Sequence, residues 1–175
     1  GRIAAQTAKQ VVMQRLREAE RYLVYEEFAD KEGEVFSVTV QRIEPRQVIV
    51  ELGRADAVMP IEEQAQGERY RIGQKVRVLL KSMVRSTKGP EIIVSRADSR
   101  LVRRLFEMEV PEIYNGAVEI VAIAREPGSR SKVAVRARQD GVDPVGSCVG
   151  LRGVRIQSIV NELLGEKIDV VAWDK

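Results

Sequence analysis

The chain predicts an α+β fold in three consecutive parts: a long helix, a five-stranded barrel, and a helix-strand-strand-helix-helix-strand unit. Three observations carry that reading. Apolar residues recur at helical spacing from Arg2 to about Asp30, short alternating runs separated by turn residues fill the middle, and the last part mixes the two periods. With 175 residues and 44% hydrophobic content, the chain can hold two small domains or one medium one, and the pattern favours two small ones.

The first part, residues 1–32, reads as one helix. Ala4, Ala8, Val11, Val12, Leu16, Ala19 and Leu23, with Tyr22, form its apolar stripe, and Arg, Glu, Lys and Gln fill the rest. At ~1.5 Å per residue it runs roughly 40 Å. Nothing later in the chain calls for so long a helix. Because the first residue is Gly1, not methionine, the helix is expected to continue an upstream domain; an engineered scar would equally account for Gly1.

Residues 33–97 turn to short strands. Glu34 to Ile43 alternates, Glu44-Pro45-Arg46 turns, and Val48 to Leu52 returns. Gly53 breaks that run, Ala55 to Pro60 is a third strand, and a polar loop through Gly67 and Gly73 leads to a long fourth, Lys75 to Val84. Thr87-Lys88-Gly89-Pro90 is a hairpin connection into Ile92 to Ser95. Five strands, all taken as antiparallel, suggest an OB-type barrel, whose strand face commonly binds oligonucleotides. Fold alone does not assign that function. Phe36 and Tyr70 are its only rings, too few for a strong stacking platform, so the barrel is expected to be a spacer or a weak contributor.

Residues 98–175 form the last unit, joined through Ser95 to Ser99 with almost no Gly or Pro, which predicts a short, stiff junction. Ser99 to Tyr114 is a helix with Leu101, Val102, Leu105, Phe106 and Met108 on its apolar face and Arg100, Arg103 and Arg104 opposite. Val118 to Ala124 is a strand, and Pro127-Gly128-Ser129 turns the chain into a second, Lys132 to Arg138. There Val133, Val135 and Ala137 face one way, and Lys132, Ala134, Arg136 and Arg138 the other. Asp143 before Pro144 is a helix start, since the carboxylate accepts an orphan N–H and proline has none to lose. The helix ends on Gly150. A second begins after Gly153, with Val154, Ile156, Ile159, Val160, Leu163 and Leu164 at helical spacing and Arg155 toward solvent. Gly165 stops it, and Lys167 to Trp173 is the closing strand.

Gly150-Leu151-Arg152-Gly153 is the candidate site. The GxxG spacing alone is uninformative, because at a glycine usage of about 7% roughly one such pair arises by chance in a chain this long. Its flanks make the case. Two helices meet where backbone can approach a ligand closely, with N–H groups and the positive end of the second helix dipole facing outward. A phosphate fits there, with Leu151 as an apolar contact and Arg152 as a charge. This arrangement resembles a KH module, in which such a loop holds about four nucleotides of single-stranded nucleic acid. The alternative is a plain helix-turn-helix corner.

Charge points the same way. The total is 29 Lys and Arg against 26 Asp and Glu, a net +3 that says little about partners. Between Arg125 and Arg155, however, Arg125, Arg130, Lys132, Arg136, Arg138, Arg152 and Arg155 face only Glu126, Asp140 and Asp143. Strand arginines can also serve only to keep an exposed face soluble. The chain has no histidine, one cysteine and no P-loop, so the usual nucleophile-base pairs and metal sites are lacking, and an enzyme is not expected. Cys148 sits at an apolar helix position and is expected to be packed, not reactive. No secretory signal or membrane-spanning apolar run is evident, which predicts a cytoplasmic protein.

The order helix, barrel, KH unit, together with residues 104–114 (RLFEMEVPEIY), 122–135 (AIAREPGSRSKVAV) and 143–156 (DPVGSCVGLRGVRI), resembles the NusA family of transcription factors over essentially the whole chain. The resemblance implies the end of a polymerase-binding domain, an S-one-type barrel and the first, bacterial-type KH domain of two. It further implies binding of nascent single-stranded RNA beside RNA polymerase, with effects on pausing, termination and antitermination. RNA polymerase, mainly through the missing N-terminal domain, and other antitermination factors are the implied protein partners of a monomer without cofactor. The site residues so implied are Gly150, Leu151, Arg152 and Gly153, supported by Arg155, Lys132, Arg136 and Arg138. A phosphorolytic ribonuclease also carries KH and S-one-type domains, but there the KH unit comes first. A ribosome-associated or purely protein-binding KH protein is the third reading.

Overall fold

The computed structural model describes residues 2–86 and 89–173. Gly1, the Thr87-Lys88 part of the expected turn, Asp174-Lys175 and the side chain of Ala4 lie outside the described residues. The chain is α+β, in the expected order. Helix α1 (Arg2–Phe28) leads into strands β1 (Val35–Glu44), β2 (Gln47–Leu52), β3 (Ala55–Pro60), β4 (Lys75–Ser86) and β5 (Gly89–Ser95). Then come α2 (Ser99–Glu109), α3 (Pro111–Tyr114), β6 (Val118–Glu126), β7 (Arg130–Ala137), α4 (Pro144–Val149), α5 (Val154–Glu162) and β8 (Lys167–Ala172).

The five strands close into a barrel in the order β1-β2-β3-β5-β4. One expectation is corrected here: β3 and β5 run parallel, with Ala57 opposite Ile92 and Val58 opposite Ile93. Hairpins can join only antiparallel neighbours, so closing the barrel between strands separated by a long loop and β4 brings in the parallel pair. Bulges at Gln41 and Lys81 shift the register of β1 and β4 and give the curvature that closure requires. Val38, Val40, Val50, Ala57, Met59, Val78, Leu80 and Val94 fill the interior.

Helix α1 agrees with the expectation that nothing later in the chain calls for its length. Its expected stripe faces no partner among the described residues: Val12 is 56% exposed, Leu16 54% and Leu23 67%. Only the last turns pack. Val24 and Phe28 lie against the barrel core, and Phe28 meets Phe36 edge-on at 5.8 Å.

In the last unit β6-β7-β8 form a three-stranded sheet with β6 antiparallel and β8 parallel to the central β7. Leu101, Val102, Leu105, Phe106, Val133, Val135, Ile159 and Leu163 make its core. The expected helix over Ser99 to Tyr114 is in fact two, because Val110 adopts φ −115° and ψ 99° ahead of Pro111, whose ring excludes helical backbone from the preceding residue. Met108, expected on the apolar face, is 56% exposed. Val154 and Leu164 are likewise exposed, Leu164 where the chain leaves α5 at φ 56°.

Barrel and KH unit meet without a gap. Strand β4 turns Val78 and Leu80 into the barrel and Leu79 into the KH core, so its two faces serve both. Full burial of Leu79 contributes ~2 kcal/mol to that contact. Arg96, at the junction, is fully buried. Its guanidinium donates to both carboxylate oxygens of Glu68, to Arg77 O at 2.7 Å and to Glu162 O at 2.9 Å, joining β4, a barrel loop and α5. Arg125 donates to Arg96 O at 2.7 Å and Asp98 O at 2.8 Å while ion-pairing with buried Glu166. Glu166 also accepts from Gly128 N and Ser131 Oγ. At Gly128 a Cβ would stand 1.8 Å from Gln66 O, so only glycine lets the turn after β6 meet the barrel loop this closely.

Candidate nucleic-acid interface

Asp143 and Pro144 open α4 as expected, with the Asp143 carboxylate accepting from Gly146 N at 3.1 Å. Gly150 then reverses the chain at φ 78° and ψ 173°, a region essentially closed to other residues. Leu151–Gly153 forms a single 3-10 turn, Arg152 and Gly153 both taking left-handed backbone at φ 57° and φ 75°. For Arg152 that conformation costs ~1–2 kcal/mol. Gly153 is the N-cap of α5 and offers no side chain to cover the first N–H groups.

The loop stands proud of the fold. Leu151 is 85% exposed, and Arg152 is exposed beside it. They border an open cleft of about 690 Å³ whose lining also includes Gly146, Gly150, Val154, Glu112 and Arg155. Helix-end amides, one exposed guanidinium and a small apolar surface are what a phosphodiester backbone with its sugar requires. Beneath it Cys148 is fully buried; burial first, then the Glu112 carboxylate, push its thiol up to about 11, so it stays protonated and inert at neutral pH.

The expected site residues fall into two places. Gly150, Leu151, Arg152 and Gly153 form the loop, and Arg155 lies under it. Arg155 is only partly on the solvent side that its periodicity suggests: its side chain is 31% exposed, and its Nη1 is tied down, donating to Ser147 O and to Glu112 Oε2, both at 2.7 Å. Lys132, Arg136 and Arg138 lie elsewhere. Val133 and Val135 of β7 face the helices, so the alternating Lys132 and Arg136 point from the opposite face of the sheet. Arg136 donates to Glu119 at 2.8 Å and Arg138 stands 3.8 Å from the same carboxylate. The hydrogen bond from Arg136 is the main reason the Glu119 carboxyl titrates below its usual range. Glu112, Glu119 and the carbonyl of Ser147 escaped sequence reasoning, since no local pattern announces partners that lie 43, 17 and 8 residues from the arginines they hold.

The two barrel rings are partly buried against the barrel core. Phe36 packs against the core and Phe28, and the Tyr70 hydroxyl, which accepts from Ala65 N, is pushed up in pKa by burial and by Glu68.

Family comparison adds independent evidence. Residues 96–173 match the NusA-like first KH domain, residues 29–95 the S1 RNA binding domain, and residues 1–22 the NusA N-terminal domain. The chain is 53% identical over 173 residues to the transcription termination/antitermination protein NusA of Bacillus subtilis, covering 99% of this chain and 47% of that protein. The chain belongs to the NusA family. The Thermus thermophilus member is 49% identical over 175 residues, with 99% of this chain and 45% of that protein covered. The Mycobacterium tuberculosis member is 43% identical over 182 residues, with 99% and 52% covered. The chain thus spans about half the length of the curated relatives it matches. These family members are named as transcription factors, not as enzymes. No helix among the described residues is long and apolar enough to cross a membrane.

Proposed function

We propose that this chain is the RNA-contacting portion of a transcription elongation factor, holding nascent single-stranded RNA beside RNA polymerase to modulate pausing, termination and antitermination. The observation that carries it is the Gly150–Gly153 loop: an uncapped helix start, an exposed Arg152 and an exposed Leu151 around an open cleft. Residues 98–175 act as the RNA-gripping unit, residues 33–97 as a barrel that sets its position, and residues 1–32 as the connection toward the polymerase-binding domain. Gly150, Leu151, Arg152 and Gly153 hold the RNA backbone. Lys132, Arg136 and Arg138, on the far side of the sheet, form a separate basic surface that a longer RNA reaches after leaving the loop. The protein works in the cytoplasm as a monomer without cofactor, alongside other antitermination factors.

Titrating the isotope-labelled chain with short random-sequence single-stranded RNA tests this. Amide resonances of residues 146–156 should move first and most. Perturbations confined to the barrel, or to the outer sheet face, would refute the assignment of the loop.

A further inference from the structure

Arg155 lies at the start of α5, but its side chain belongs to the loop. Its stem crosses Gly150 so closely that a Cβ there would come 2.7 Å from Arg155 Cγ and 2.9 Å from Arg155 Cβ. Its guanidinium then reaches Ser147 O, one of the last carbonyls of α4, whose helical partner is lost where the chain reverses at Gly150. A cation is favoured at such a helix end. Glu112, from α3, fixes the same guanidinium from a third side. Arg155 therefore ties α3, α4 and α5 together around the turn. Both bonds use Nη1 alone and the side chain stays 31% exposed, but the Glu112 carboxylate 2.7 Å away offsets its charge, which makes it a weaker phosphate contact than exposed Arg152.

The two loop glycines consequently serve different ends. Gly153 needs only its left-handed backbone, since a Cβ there meets nothing nearer than Ile156 Cγ2 at 3.8 Å. Gly150 must also make room for the Arg155 stem. Glu112 is the more telling residue. A carboxylate lining a phosphate cleft opposes RNA on Coulomb grounds, so its presence asks for another role.

We propose that Arg155 and Glu112 are positioning residues, which hold the Gly150–Gly153 turn in its binding shape without themselves contacting phosphate. The proposal rests on the RNA-binding reading of the loop. It makes a counter-intuitive demand: removing the acidic Glu112 should weaken RNA binding.

The test compares Glu112→Ala, Arg155→Ala, the double variant and Arg152→Ala with the unaltered chain. Binding of a labelled random-sequence single-stranded RNA is followed by anisotropy across a salt series, and loop amides are followed by NMR without RNA. Arg152→Ala should reduce the log-log salt slope by about 0.7, the signature of one lost phosphate contact. Glu112→Ala and Arg155→Ala should each lower affinity about tenfold with the slope unchanged, and the double variant should bind no more weakly than Arg155→Ala alone. Tighter binding by Glu112→Ala, or a slope loss in Arg155→Ala equal to that of Arg152→Ala, would overturn the proposal. The NMR arm stands apart from RNA. If the unaltered chain binds none, the RNA reading fails, while displaced Gly150–Gly153 amides in both single variants still support the positioning role and unmoved ones refute it.

Discussion

Removing the Glu68 carboxylate should expose how much the junction depends on buried charge. Arg96 is 0% exposed and the Glu68 side chain 4%, so neither can rehydrate without opening the contact between barrel and KH unit. In Glu68→Ala the guanidinium keeps its bonds to Arg77 O and Glu162 O but loses its three contacts to Glu68, at 2.6 Å, 2.8 Å and 3.1 Å. Left with only the Glu162 carboxylate, 3.9 Å away and partly exposed, the buried guanidinium loses its main counter-ion, at a cost of up to about 3–5 kcal/mol. In a chain of 175 residues each kcal/mol moves the melting temperature by about 2–4 °C, so a fall of up to roughly 6–20 °C is expected. Glu68→Gln, which keeps an acceptor but not the charge, should fall between. Thermal and urea unfolding followed by circular dichroism measure both. A Glu68→Ala variant within about 1 kcal/mol of the unaltered chain would show that Arg96 finds water, and that the ion pair does not fasten the junction.

Two further outcomes follow from titration. Burial acts to raise the Asp98 carboxyl, but hydrogen bonds from the Arg100 side chain and backbone outweigh it and hold the group below its usual 3.8. The unfolded chain therefore takes up this proton first, so the stability Asp98 confers is complete above its unfolded pKa and is lost as pH falls through the folded one. Asp98→Asn, which still caps α2, should be less stable at neutral pH and show a shallower acid limb; an unchanged acid limb in urea titrations would contradict this. For Cys148 the pKa is raised, so its contribution is complete below the ordinary thiol value of 9.0 and is lost as pH rises through about 11. At pH 8 a thiol reagent should label the folded chain slowly and the urea-unfolded chain at once, and fast labelling of the folded chain would show that the thiol is not packed away.

What the sequence made legible was local. Asp143-Pro144, Gly150 and Gly153 announce a cap, a reversal and a helix start within a few residues, and the structure has all three. The alternation of Val133 and Val135 with Lys132 and Arg136 likewise fixed which face of β7 is buried. The break at Val110-Pro111 was readable too, since proline restricts the residue before it, but the apolar spacing of α2 outweighed it. The α1 stripe has helical periodicity without a described partner, because spacing reveals a face and not what covers it. Long-range pairings were invisible. Nothing near Arg155 indicates Glu112, and nothing in β3 indicates that β5 will lie parallel beside it. The same holds for Arg96, Glu68, Arg125 and Glu166: charged residues normally read as solvent-facing, and only the closed fold shows them paired and buried.

The loop itself decides the account. Replacing Leu151 and Arg152 together with aspartate puts two negative charges where the RNA backbone must approach, while both side chains are exposed and add nothing to the core. Asp also tolerates the left-handed backbone that Arg152 occupies at φ 57°, so the turn should persist. RNA anisotropy across a salt series, beside thermal unfolding, is the measurement. With two to four phosphates held, the unaltered chain should show a log-log slope of roughly −1.5 to −3. The double variant should melt like the unaltered chain, lose measurable binding and flatten the slope. Equal affinity in a variant of equal stability would contradict the account and leave Gly150–Gly153 as a corner between two helices.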